Sequence, residues 1–337
     1  MIVGEKHTQI TQSETLTWSA GKKLQLALPK NGLITRIDIK AYITAASAVS
    51  GALSQLGLFN FIDYLTIDGG GGVSYYGMTG DWSGRMMHLA NLQEFPPRSW
   101  NDIVATSQNV FWTIHFGSYP TLNGVDNPYD LSAGIPAKDE TTLNLTWTCP
   151  IAATSIDDVV DISSGTMTVT CYEVLNYPLR GVMKPVSSTE QYAHTANKTN
   201  RFDVPTGAYV RRIFLLSQDE VAKNTTNGPV LANDEIDTVA LELPRTNETP
   251  VSVDWQTLAF TQSKPTSMQV INAPNTAYPY GPGGFAILDL RQLSNSPWGL
   301  NLTEKNTGDV KLALKVQNYS SGDDTTIFYD MLKPHVK

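Results

Sequence analysis

Asp81 and Asp254 each stand immediately before a tryptophan, Trp82 and Trp255, and no other carboxylates in the chain suggest acid–base chemistry so clearly. A facing pair of this kind hydrolyses glycosidic bonds, one acid protonating the leaving oxygen while the other acts as base or nucleophile. A structural role competes with that reading. An acid at a helix N-terminus is favoured by the helix dipole, and a neighbouring indole can anchor the helix on its support. The two Asp-Trp pairs fall at equivalent places of an internal repeat set out below, which favours the structural role.

The remaining candidates are weaker. The five histidines, His7, His88, His115, His194 and His335, show neither HxH nor HExxH spacing, so they read as lone surface or helix residues rather than metal ligands. GGGG at 69–72 follows a strand, but no Gly-Lys-Ser/Thr comes after it, so a hairpin turn is expected in place of a phosphate loop. Asp157, Asp158 and Asp161 lack EF-hand spacing and read as a solvated loop, as does Asp323-Asp324. No GxSxG elbow is present. Sequons at Asn144, Asn197, Asn224, Asn247, Asn301 and Asn318 arise readily in a Thr- and Asn-rich chain. Cys149 and Cys171 lie in consecutive expected strands; a single bridge is geometrically open to them, and buried free thiols are the favoured reading. No catalytic, cofactor-binding or metal-ligating residue is assigned, no cofactor is implied, and the chain reads as a non-enzyme.

Composition narrows the class. With 337 residues, the chain suits two domains that each bury a core. Hydrophobic residues make up 41% and charged residues 17%, the balance of a folded globular protein. Lys plus Arg is 24 against 32 Asp plus Glu, a net charge of −8 that argues against packaging nucleic acid without specificity. MIVGEKHTQITQSE has no long apolar stretch, and no segment approaches the roughly 20 apolar residues that cross a bilayer, so a soluble chain made in a reducing cytosol is expected.

The repeat positions everything else. LPKNGLITRIDI at 28–39 aligns without a gap on VPTGAYVRRIFL at 204–215, matching Pro29 with Pro205, Arg36 with Arg212 and Ile37 with Ile213. IDYLTID at 62–68 lies over IDTVALE at 236–242, Asp81-Trp82 over Asp254-Trp255, and FWTIHF at 111–116 over FAILDL at 285–290. LNLT at 143–146 recurs at 300–303, and TMTVTC at 166–171 falls on DVKLAL at 309–314. The offsets run 176, 174, 173 and 174, then drop to 157 and 143, as expected of a tandem duplication that slips at loops.

Period-two alternation in LITRIDIKAYI at 33–43, LNLTWT at 143–148, TMTVTCYEV at 166–174 and VKLALKV at 310–316 argues for half-buried strands. A helix is expected from Thr79 to about Glu94, with a shorter counterpart at Asp254-Trp255. Roughly eight strands and one short helix per copy suit an all-β chain of two tandem eight-stranded antiparallel jelly rolls. The expected parts are an N-terminal arm at 1–20, a first jelly roll at 21–177, a linker at 178–199 and a second roll with C-terminal tail at 200–337.

The strand–Pro–turn–Gly–L(I/V)xRI entry of both halves, and FNFIDYLTID followed by a Gly-rich turn, a strand and GDW at 60–82, resemble double jelly-roll major capsid proteins of the tectivirus and adenovirus lineage. The resemblance covers about 20–335. It implies a viral major capsid protein without catalytic residues, whose homotrimer forms a pseudo-hexameric capsomer tiling an icosahedral shell. It also implies neighbouring trimers, minor capsid or vertex proteins and an internal membrane at the inner face as partners, with no specific nucleic acid. Localisation would be the virion after synthesis in the host cytoplasm. Two readings from other classes stay open: a double jelly-roll glycan-processing enzyme, and a tandem lectin-like binding or spike protein. Long insertions at 118–140 and 147–165 belong to the first roll; that at 118–140 is expected on the outer face, with the termini on the inner face or at the lower seams between trimers.

Overall fold

The computed structural model describes residues 7–45, 61–78, 107–117, 130–151, 162–219, 230–231, 235–258, 285–306 and 308–336. The chain divides into two compact units, Met1–Ser187 with Lys333–Lys337, and Ser188–Leu332.

In the first unit one sheet runs β1(His7–Gln12), β9(Ile162–Leu175), β4(Leu33–Ala45), β7(Ser107–His115), with β2(Leu16–Thr17) also on β9. The other runs β3(Lys23–Ala27), β8(Leu143–Thr148), β5(Tyr64–Gly69), β6(Ser74–Met78), and all pairings are antiparallel. In the second unit, apart from the first residues of β10 and the last of β19, β10(Met183–Ala193), β19(Asp324–Pro334) and β12(Tyr209–Asp219) lie side by side. β16(Phe285–Asp289), β17(Leu300–Asn301) and β13(Val230–Leu231) also pair with β12. Its second sheet is β11(Thr199–Asp203), β18(Lys311–Val316), β14(Ile236–Leu243), β15(Glu248–Asp254). The strand orders correspond one for one, β1 with β10, β9 with β19, β4 with β12, β7 with β16 and β3-β8-β5-β6 with β11-β18-β14-β15. This is a double jelly roll.

Register makes the equivalence quantitative. Arg36 pairs with His115 and Tyr172, and Arg212 with Asp289 and Asp330. A register shift lies between Ile34 and Arg36, and again between Val210 and Arg212, so Thr35 and Arg211 are the same bulge residue (211 − 35 = 176). The shift between Ile67 and Asp68 on β5 likewise reappears between Leu241 and Leu243 on β14. Such bulges set strand twist and are placed features of a sheet.

Two blocks of the sequence alignment are corrected. Leu145 pairs with Leu26 and Ile67, and Leu312 with Phe202 and Leu241, so β8 corresponds to β18 at 312 − 145 = 167. LNLT at 300–303 therefore does not match LNLT at 143–146. Cys171 pairs with Ile37 and Tyr329 with Ile213, so β9 corresponds to β19 at 329 − 171 = 158, and DVKLAL is not its partner. A period-two pattern fits any strand on any other; only blocks carrying a distinctive turn are unambiguous.

The segment 178–199, expected as a linker, is also different. Half of it is β10, a largely polar strand whose Thr189, Glu190 and Gln191 are exposed at the sheet's margin. An edge strand needs no apolar alternation, so its sequence reads as loop.

The core of unit 1 shows why these residues form these strands. Ile37, Ile39, Ala41 and Ile43 form the buried apolar set of β4, and Ile67, Leu145 and Trp147 that of the other sheet. Trp147 Nε1 donates to Phe61 O at 3.1 Å, the two rings lie 5.0 Å apart, and Gly165 leaves room for the Phe61 ring. Truncating a buried tryptophan of this kind costs about 3–5 kcal/mol.

Candidate assembly surfaces

The outward rungs of the β1-β9-β4-β7 sheet are built from β4. There Arg36, Asp38, Lys40 and Tyr42 alternate with the buried apolar set. Arg36 donates from Nε and one terminal nitrogen to the two Asp38 oxygens, both at 2.7 Å, and its guanidinium stands 4.7 Å from the Tyr172 ring centre. Desolvation and the hydrogen bond to Asp38 hold the Tyr172 phenol above its ordinary range. Ile10, opposite Tyr172, and Phe111 and Tyr42, further along the sheet, are 62%, 51% and 43% exposed, large apolar side chains on a folded sheet. Exposed aromatic and aliphatic groups ringed by polar ones are the composition of protein contact surfaces.

The equivalent rung of unit 2 is buried. Arg211 and Arg212 both hold Asp330, at 2.7 and 2.8 Å, and Arg212 lies 5.3 Å from the Phe214 ring centre. Burial pushes the Asp330 carboxyl up, but the two guanidinium charges and their hydrogen bonds outweigh it, leaving the group below its ordinary range. β12 is buried on both faces from Val210 to Ser217, whereas β4 is buried on one. The duplicated strand therefore serves different surroundings in its two copies.

One end of unit 1 is organised by the short turn Ala137–Asp139 and the residues after it. Lys138 N donates to Gly32 O at 3.2 Å, and Lys30 Nζ reaches Thr141 O at 2.5 Å. Glu140 accepts from Gly70 N at 2.7 Å and from the Tyr75 hydroxyl, pinning the glycine turn between β5 and β6. Asp139 Oδ2 lies 2.6 Å from His335 Nε2, and His335 N donates to Val182 O at 2.8 Å. The chain's last residues thus lie against 137–140 and 182. Lys30, Lys138, Arg180, Lys184 and Lys333 belong to these same segments. None of the five forms an ion pair among the described residues. In a chain of net charge −8 this end gathers five such cations, beside the carboxylates Asp139, Glu140 and Glu173.

That arrangement corrects the expected orientation of 118–140. Its described part, from Asp130 onward, lies at the end where the C-terminal residues bind, and β1 also starts there, with His7 paired to Leu175. The cause is that 134–137 belongs to the roll itself. Ile135 bridges Ile34 as Leu300 pairs with Val210, so the counterpart of the second LNLT block lies inside the supposed insertion. Gly134 and Gly299 precede these residues and mark the equivalence; GIP and GLN carry it too weakly to be found in sequence. The remainder, 118–129, lies outside the described residues.

The other sequence candidates resolve individually. Gly70–Gly72 forms the expected turn, with Gly71 and Gly72 at φ of 70° and 78°. Asp254 caps a short helical turn, accepting from Thr257 N at 2.8 Å, and Trp255 is buried beneath it. Asp81, Trp82, His88, the helix expected over 79–94 and Asp157, Asp158 and Asp161 lie outside the described residues. His194 and His335 are buried, 3% and 7% exposed, not surface histidines; each fills a polar niche at a chain turn, which no local spacing reveals. Asp323 is 1% exposed rather than solvated, because its carboxylate closes its own turn by accepting from Ser320 N at 2.5 Å. Cys149 and Cys171 are buried free thiols, and desolvation pushes Cys171 up to about 12. Among the described residues no cluster of His, Cys, Asp and Glu has the arrangement of a metal site.

No family model matches the chain, and no curated protein sequence matches it. Solved structures do. The STIV MCP superposes with a TM-score of 0.74 at 16% identity, over 98% of this chain and 97% of that one. A chain from the atomic structure of Sulfolobus Turreted Icosahedral Virus gives 0.71 at 15% identity, over 98% and 91%. The major capsid protein P2 from bacteriophage PM2 gives 0.59 at 11% identity, over 98% and 99%. At such identities the likeness is one of fold, and it spans both units: this chain carries the double jelly-roll fold of those viral proteins across nearly its whole length.

Proposed function

We propose that this chain is the major capsid protein of an icosahedral virus and works as a homotrimer, a pseudo-hexameric capsomer that tiles the shell. The observation carrying this reading is the duplication of one jelly roll within one chain, with bulges and strand order repeated. Three such chains around an axis place six similar rolls in a ring. A tile then meets six neighbours through near-equivalent edges, while the two copies remain free to diverge. The contrast between the half-open β4 and the doubly buried β12 is divergence of that kind. The exposed Ile10, Tyr42 and Phe111 supply apolar contact area for neighbouring copies. The role is architectural and not enzymatic, and the protein resides in the virion after synthesis in the host cytoplasm.

Other trimers and minor vertex proteins are its partners. The end of unit 1 that gathers these cations, bearing the C-terminal residues, faces an internal membrane. Native mass measurement of the purified protein tests the oligomer: a stable trimer is expected. A monomer across the working concentration range overturns it. Electron microscopy of source particles tests the shell, since ring-like capsomers with pseudo-sixfold outline must appear on an icosahedral lattice.

A further inference from the structure

Unit 2 buries a chain of ionisable and hydroxyl groups at one corner. His194, just after β10, is 3% exposed; its Nε2 lies 2.8 Å from Thr325 Oγ1, and its ring stands edge-on to Tyr192 at 5.6 Å. Thr325 pairs with Ser217 across β19 and β12, and Ser217 Oγ donates to Glu235 Oε2 at 2.7 Å. Thr325 and Ser217 have no exposed surface, while Asp323 and Glu235 are 1% and 3% exposed. The second imidazole nitrogen, Nδ1, is buried without a hydrogen-bond partner.

The corner is residues 194–200, of which 194–198 join β10 to β11 and Thr199 and Asn200 open β11. It rests on the end of β18 and the turn between β18 and β19. His194 N donates to Asp323 O at 2.8 Å, Tyr319 N to Asn197 Oδ1 at 2.7 Å and Val316 N to Lys198 O at 2.9 Å. Tyr192 donates its hydroxyl proton to Asn200 Oδ1 at 3.0 Å. A neutral imidazole with its proton on Nε2 satisfies Thr325 and leaves a bare lone pair at Nδ1. Protonation places a charged N–H at Nδ1, where no acceptor stands, and a buried charge without a partner is among the most costly features a fold can hold.

We propose that His194 is a proton-operated latch: neutral, it seats the 194–200 corner on the 317–325 turn, and protonated, it releases that corner. The groups at the ring are Asp323 from the turn, Thr325 from β19 and Tyr192 from β10, the strand just before it; next to these, Asp324 accepts from Gln191 and Asn200 of β11 accepts from Tyr192. Glu235 lies beyond Ser217, and Lys198 sits on the corner. Asp323 favours the imidazolium, but its carboxylate is engaged by Ser320 N, and burial outweighs it: the imidazole is held below its ordinary value of 6.5. The seated form therefore binds fewer protons than the released one. Its stability is complete above pH 6.5 and declines as pH falls below that value.

Hydrogen exchange on the whole protein, corrected for the intrinsic rate at each pH, tests the latch between about pH 7.5 and 5, above the range in which ordinary carboxylates titrate. In wild type, segments 190–202 and 316–326 should open at least about threefold more at the acid end while β12 and β14 stay protected. His194→Gln, which keeps a hydrogen bond to Thr325 and cannot titrate, should flatten that profile. The same acid opening in His194→Gln, or none in wild type, overturns the proposal. Should that variant not fold, the His194 titration followed by NMR in wild type decides: a midpoint below 6.5 is required, and one at or above it excludes the latch.

Discussion

Gly134 and Gly299 occupy the same place in the two units, each where a side chain would strike the carbonyl of the strand it crosses, Ile34 O at 2.8 Å and Val210 O closer still. Gly299 also has φ of +81°, a conformation costly for other residues. Gly299→Ala should therefore lower stability by roughly 3 kcal/mol or more through clash and strain together, and Gly134→Ala by about 1–3 kcal/mol through clash alone. Denaturant midpoints that reverse this order would refute the equivalence of the two contacts.

Asp330 should matter far more than its counterpart rung in unit 1. Asp330→Asn leaves Arg211 and Arg212 buried without their anion and should cost about 3–5 kcal/mol. Asp38→Asn, in a pair open to solvent, should cost no more than about 1 kcal/mol. Because the Asp330 pKa is depressed, its contribution is complete above the ordinary carboxylate value of 3.8 and disappears as pH falls through the folded value. Urea titrations from neutral pH into acid should show wild type losing that increment while Asp330→Asn, already lacking it, falls less.

His335→Ala should loosen the end of unit 1 that its side chain ties together. Loss of the contact to Asp139 is worth about 1–3 kcal/mol locally. Exchange should rise in 130–140 and 180–184, with β12 and β19 unaffected. Unchanged protection in 130–140 would show that the tail is a passenger there.

The lysine-bearing end gives a salt-dependent prediction. Trimers should float with vesicles containing anionic lipid and not with neutral ones, and should release at about 0.5 M salt, where screening shortens below roughly 5 Å. Reversing Lys30, Lys138, Lys184 and Lys333 to Glu should abolish flotation while leaving the trimer intact. Wild-type trimers that ignore anionic vesicles would remove the membrane from the list of partners without touching the shell.

The strands and the duplication were legible because they depend on local alternation and on turns with a fixed chemistry, such as PKNG and PTG. β10 was not legible: a polar edge strand buries little and leaves no periodic trace. The gapless block at 28–39 and 204–215 sets Thr35 over Arg211, but their side chains share nothing, and only backbone register identifies both as bulge residues. His194 and His335 looked isolated for a similar reason. Their partners, Thr325 and Asp139, lie 131 and 196 positions away, brought near by topology alone. Residues 79–106 between β6 and β7, with the helix expected there, lie outside what the structure describes, so the Asp-Trp motif is tested only in its second copy.

Lys333–Lys337 belongs to the first unit, although the whole of the second, Ser188–Leu332, intervenes in the sequence. During synthesis the opening roll therefore keeps its 137–140 turn unclasped until the second roll has been made and His335 can reach Asp139. A chain interrupted anywhere inside the second roll leaves the first with one unfinished edge, so completion of one copy is timed by synthesis of the other.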